Sequence, residues 1–117
     1  PVVLFGFHHR VYQEWARLLA PHDPVFFTGM QTAHQKEDAI ERFRSGRSKV
    51  LVLSVAAGAG LDGLQHCCRT VVIGELTWTE EEINQCIGRV DRDGQEHPVT
   101  AYILTSDAGL DPSMLDR

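Results

Sequence analysis

Residues 80–95, EEEINQCIGRVDRDGQ, hold the side chains best suited to chemistry. Read as one helix, this stretch puts Gln85, Gly88, Arg89 and Arg92 on one stripe at i, i+3, i+4 and i+7, with Ile83, Ile87 and Val90 on a second, apolar stripe. Two guanidiniums on one exposed stripe repel unless an anion lies between them. The arginine fork suits planar or tetrahedral oxyanions, so the economical ligand is a phosphate. The alternative is a solvated surface helix whose arginines pair with Asp91, Asp93 and the glutamates. Thr79 and Glu82 form a capping box, and Glu80, Glu81 and Glu82 fill the first turn, where the helix dipole favours negative charge. That start accounts for the glutamates, and the carboxylates offer no catalytic pair.

A second candidate is the loop SVAAGAGLDGL, residues 54–64. Its alanines and glycines let a ligand or another domain approach the main chain, and a plain tight turn would use the same residues. It is not a phosphate loop, since no GxxxxGK(S/T) occurs in the sequence, and Gly58 with Gly60 is too short for a dinucleotide fingerprint. Ser54 ends the preceding strand without an evident base partner. Trp78, in the turn before the arginine helix, reads either as a staple against Glu82 and Ile83 or as a wedge for a nucleic-acid base or groove. Neither HExxH nor GxSxG occurs among these residues, so metal-hydrolase and acyl-enzyme chemistry are not expected. A zinc site from His66, Cys67, Cys68 and Cys86 would need adjacent cysteines to face one tetrahedral ion, so no metal site is assigned.

These residues must be positioned by regular elements, and the pattern alternates strand and helix. PVVLFGF (1–7) is an apolar run of the kind buried on both faces, and a chain that starts inside one is expected to be a piece of a longer protein. Arg10 to Ala20 repeats as a helix closed by Pro21, and Pro24 to Phe27 is a second strand. Thr32 and Gln35 cap a helix that buries Ala39, Ile40 and Phe43 and ends near Ser45 and Gly46. Lys49–Ser54, Thr70–Gly74 and Pro98–Leu104 supply three more strands, and Thr105 to Arg117 is expected to be a loop entering a helix. The fold class is therefore α/β, a mostly parallel sheet of about five strands with helices on both faces. In such sheets ligands gather at the carboxyl ends of the strands, where the small-residue loop and the start of the arginine helix would lie.

With 117 residues and 43% hydrophobic residues, the chain holds one domain and one core. No apolar run approaches the roughly 20 residues that span a bilayer, and the start lacks a signal-peptide pattern, so no membrane partner and an intracellular location are expected. Three cysteines without CxxC spacing read as reduced thiols. A net charge of -5 argues against a broad polyanion-binding surface, leaving only local or shared contacts with nucleic acid.

In this order the segments resemble the second, C-terminal RecA-like lobe of a superfamily-two helicase, most closely a Swi/Snf-type DNA translocase. QCIGRVDRDGQ (85–95) resembles that family's QxxxRxxRxGQ motif, SVAAGAGLDGL its S-T-x-A-G-G-x-G-L-N-L motif, and GMQTAHQKEDAIERF (29–43) its G-S-T-x-x-x-R-x-x-x-I-x-x-F pattern with Lys36 at the arginine. VVLFGFHHRV and GELTW are similar to the annealing-helicase branch. The departures are a loop one residue shorter after Ser54, Asp62 for Asn, Gly88 for Asp and Asp93 for Ile.

The resemblance implies a RecA-like three-layer sandwich over residues 1–117. It implies that Arg89 and Arg92 act on the γ-phosphate of ATP, with Mg²⁺, held mainly by an absent N-terminal lobe. Gln85, Gly58, Gly60 and Asp62 would contact nucleotide, and Ser54, Thr77 and Trp78 duplex DNA. A strand-separating RNA or DNA helicase lobe and a degenerate protein-binding lobe are the alternatives. With no Walker lysine of its own, the isolated lobe is expected to be inactive.

Overall fold

In the computed structural model, residues 1–6, 9–55, 61, 63–74, 79–105, 109–110 and 115–116 are described. Five parallel strands carry the fold: β1 (Val2–Gly6), β2 (Val25–Phe27), β3 (Val50–Ser54), β4 (Thr70–Ile73) and β5 (Thr100–Thr105). Their spatial order is β2-β3-β1-β4-β5, so β1 is central. Its register is unbroken on both sides: Val3 lies between Leu51 and Val71, Leu4 between Val52 and Val72, and Phe5 between Leu53 and Ile73.

Alternation along these strands sorts the apolar residues onto two faces. Val3, Phe5, Leu51, Leu53, Val71, Ile73 and Ala101 pack under α2 (Ala33–Arg44) and α3 (Glu80–Ile87), which contribute Ala39, Ile40, Phe43, Cys86 and Ile87. Leu4 and Val52 turn to the other face and meet Tyr12 of α1 (His9–Leu18), with Trp15, Phe26 and Val72 at the margin. The result is the expected three-layer α/β fold.

The helix starts follow from side-chain chemistry. Thr32 Oγ1 accepts from the Gln35 N–H at 3.2 Å, and the Thr32 N–H donates to Gln35 Oε1 at 2.8 Å. This reciprocal pair satisfies two of the donors a helix start leaves open. α1 stops at Leu18, and Pro21 lies inside a single 3₁₀ turn, Ala20–His22.

Two expectations are corrected. Beyond β5, Gly109–Leu110 (β6) and Leu115–Asp116 (β7) are short strands antiparallel to β5, where a loop entering a helix was expected. The arginine helix, expected through residue 95, ends at Ile87 with Gly88 as its cap. Glycine disfavours a helix interior by about 1 kcal/mol, and Asp91 and Asp93 would oppose the negative end of the dipole. The N–H groups of Arg89 and Val90 bond three residues back, to Cys86 O (3.2 Å) and Ile87 O (3.1 Å), and the last turn tightens and stops.

Candidate functional site

α3 leaves the carboxyl end of β4, capped by Thr79. The Thr79 N–H donates to Glu82 Oε1 at 2.9 Å, and the Glu82 N–H donates to Thr79 Oγ1 at 3.1 Å. The helix returns along the sheet for eight residues, roughly 12 Å at the rise of an α-helix. Cys86, Ile87 and then Val90 are buried in the core, so the apolar stripe survives past the helix end. Arg89 is half-buried in the capping turn and Arg92 is exposed.

The chain after Val90 folds back on itself. The Gln95 N–H donates to Arg92 O at 3.0 Å, closing a turn in which Gly94 adopts φ +94. That turn seats on a 3₁₀ turn, Leu64–His66, which follows the small-residue loop. Gln65 Nε2 donates to Asp93 O at 3.1 Å, and a Cβ on Gly94 would come within 2.6 Å of His66 Cε1. Both the left-handed φ and the close approach require glycine there.

Arg92 therefore lines an open groove of about 780 Å³ with Arg44, Gly63, Gln65, His66 and Asp93. Two guanidiniums and an imidazole face one carboxylate, a donor set suited to an oxyanion. Arg44, from the last turn of α2, lies over Gly63, its Nη2 within 3.2 Å of where a Cβ would stand.

The expected residues divide as follows. Arg92 shares its groove with Gly63, the residue after Asp62. Gln85 is not part of it: exposed on α3, it lines a separate shallow groove with Glu80, Glu81 and Asn84. The single stripe of Gln85, Arg89 and Arg92 is thus corrected, because the helix ends before the arginines. The start of α3 is at the carboxyl edge, but the groove of Arg92 is built from segments leading into β3 and β4. Ser54 ends β3, buried and in register with Gly6. Gly58, Gly60, Asp62, Thr77 and Trp78 lie outside the described residues. Sequence reasoning passed over Arg44 and Gln65 and weighed His66 only as a metal ligand. No periodicity or motif spacing marks any of the three.

All three thiols are free, and among the described residues no group of three or more His, Cys, Asp or Glu side chains is placed to hold a metal. Burial raises each thiol pKa, and that of Cys86 is pushed up to about 12 from the ordinary 9.0. Arg89 pulls Cys86 down and Glu82 pushes it up, but burial is the larger effect. A raised folded-state pKa adds stability that is complete below pH 9.0 and lost as pH climbs towards 12. Urea melts at about pH 8 and about pH 10.5 are expected to show a smaller alkaline loss for Cys86→Ala than for wild type. An equal loss in both would refute the assignment to Cys86.

Parallel order, two helix-covered faces and this turn define a RecA-like α/β lobe. Residues 3–94 match the family model of the helicase conserved C-terminal domain, and the chain belongs to that family. Solved structures with the same fold include the C-terminal part of the Fun30 ATPase domain (TM-score 0.76, 21% identity, 91% of this chain). The E. coli DEAD-box protein SrmB, bound to regulator of ribonuclease activity A, is similar at TM-score 0.77 and 24% identity over 89% of this chain. The yeast DEAD-box splicing factor Prp28 follows at 0.76 and 19% over 95%. The chain spans 35%, 60% and 24% of those three chains, respectively. The likeness reaches Fun30 and DEAD-box proteins alike, so it carries the fold and not a branch of the family.

Proposed function

We propose that this chain is the C-terminal motor lobe of an ATP-dependent translocase on double-stranded DNA, one lobe of a longer protein. The observation that carries the reading is the groove in which Arg92 faces Gly63, directly after the Gly60-Leu61-Asp62 run of the small-residue loop. One concave site thereby joins a cation suited to a phosphate with the end of a loop suited to close main-chain approach.

In this reading Arg89 and Arg92 present fixed positive charge to the γ-phosphate of ATP bound by an N-terminal lobe, which also holds Mg²⁺. Preorganised charge of this kind stabilises the transferring phosphoryl group without reorganisation at the moment of reaction. Mg²⁺, when bound there, neutralises the phosphate oxygens. Gly58, Gly60 and Asp62 approach the nucleotide, and Ser54, Thr77 and Trp78 approach the duplex. Gln85, on its separate groove, orients nucleotide from the exposed face of α3. Because ATP lies between the lobes, hydrolysis couples to lobe closure, and closure advances the protein along DNA.

The full-length protein is expected to displace a third strand from a DNA triplex in an ATP-dependent manner while leaving a forked duplex paired. Unwinding of the fork would favour a strand-separating helicase. The absence of any nucleic-acid-stimulated hydrolysis would favour a binding lobe.

A further inference from the structure

Gln95 belongs to the arginine segment, yet the function above gives it no task. Both amide protons and the carbonyl oxygen of its side chain are engaged. Nε2 donates to Cys68 O at 2.8 Å and to Val90 O at 3.0 Å, and Oε1 accepts from the His97 N–H at 3.2 Å. Its main-chain N–H donates to Arg92 O at 3.0 Å. Gln95 thus closes the loop carrying Arg92 twice, at Val90 and at Arg92 itself, and ties it to the lead-in of β4 through Cys68.

The other side of the loop is held as well. Val90 is fully buried, Gln65 Nε2 bonds Asp93 O at 3.1 Å, and the His66 ring fills the space where a Gly94 Cβ would stand. The backbone of Arg92 is fixed from the core, from β4 and from the 3₁₀ turn, while its side chain stays exposed in the groove.

We propose that Gln95 is a positioning residue for Arg92, setting where its guanidinium meets phosphate. This rests on the reading of Arg92 given above. A cation that works by preorganisation loses effect steeply when displaced: a shift of about 1 Å costs on the order of 10²-fold in rate. Gln95→Met keeps the length of the side chain and removes both donors, freeing the loop at Val90 and Cys68.

The test is a double-mutant cycle on ATP hydrolysis by the full-length protein. Gln95→Met is expected to lower kcat by about 10-fold or more, with KM for ATP within about two-fold of wild type, because the loss falls on the transition state. In an Arg92→Ala background the same change is expected to cost less than about two-fold, since a residue acting through Arg92 has nothing left to position. Should Gln95→Met fail to fold, Gln95→Glu, which keeps an acceptor for the His97 N–H but offers no donor to Cys68 O or Val90 O, is read in the same cycle. Losses that multiply in the double variant, or an unchanged kcat in the single one, overturn the proposal. A wild-type rate in Arg92→Ala overturns the phosphate reading itself and this inference with it. A low Arg92→Ala rate with additive losses overturns only the role of Gln95.

Discussion

Arg92→Ala in the full-length protein is expected to cut ATP hydrolysis by about 10³-fold or more, with little change in the affinity for ATP. Arg92 is exposed as the first residue of a hydrogen-bonded turn, so its replacement removes a charge from the groove without opening the core. The turn itself is held by main-chain contacts of Gln65 and Gln95 and by the burial of Val90. The expected signature is therefore a fall in kcat with an unchanged melting temperature. Arg92→Lys is expected to recover only part of the rate, because an ammonium offers a point charge where the guanidinium offers a planar fork. Steady-state hydrolysis beside circular dichroism melts checks both. A rate within a few-fold of wild type in a normally folded Arg92→Ala protein would remove Arg92 from the reaction.

Much of this fold is legible in the sequence, and the reasons are local. Thr32 with Gln35 and Thr79 with Glu82 announce their helices because a capping box is complete within four residues, and both boxes close reciprocally. β1, β3 and β4 read as apolar runs because helices cover both faces, so period-two alternation is hidden even though Val3 and Leu4 point to different layers. The end of α3 is less legible. The apolar spacing continues to Val90, which is buried, but continued burial does not require continued helix. Gly88 and the aspartates at 91 and 93 end it, and an i, i+4, i+7 stripe of Gln85, Arg89 and Arg92 cannot outlast the helix. β6 and β7 are two residues each and carry no periodicity to find. Arg44, Gln65, His66 and Arg92 meet only through packing of segments far apart in the chain, so their groove has no signature in spacing.

Phe43→Ala is expected to be among the most destabilising single changes in the lobe, at about 3–5 kcal/mol. Phe43 is 1% exposed and, with Ala39 and Ile40, forms the buried stripe of α2 over the sheet. Below it is β3, whose Leu51 and Leu53 are fully buried and which is paired in register with β1 and β2 on its two sides. Such a floor cannot rise to fill the space left by a phenyl ring, so the lost transfer energy and most of the cavity cost both appear. Against the roughly 5–15 kcal/mol that holds an ordinary domain, that is a large share. Urea unfolding is expected to show a midpoint lower by about 2 M with an unchanged slope. Leu18→Ala, at a side chain 56% exposed, is the matched control and is expected to stay within about 0.5 kcal/mol of wild type. If the two variants lost comparable stability, α2 would not be the lid of the main core. The consequence reaches the site, because Arg44 follows Phe43 directly and lines the groove of Arg92. Loosening the last turn of α2 removes one wall of that groove, so the folded fraction of Phe43→Ala is also expected to hydrolyse ATP more slowly in the full-length protein.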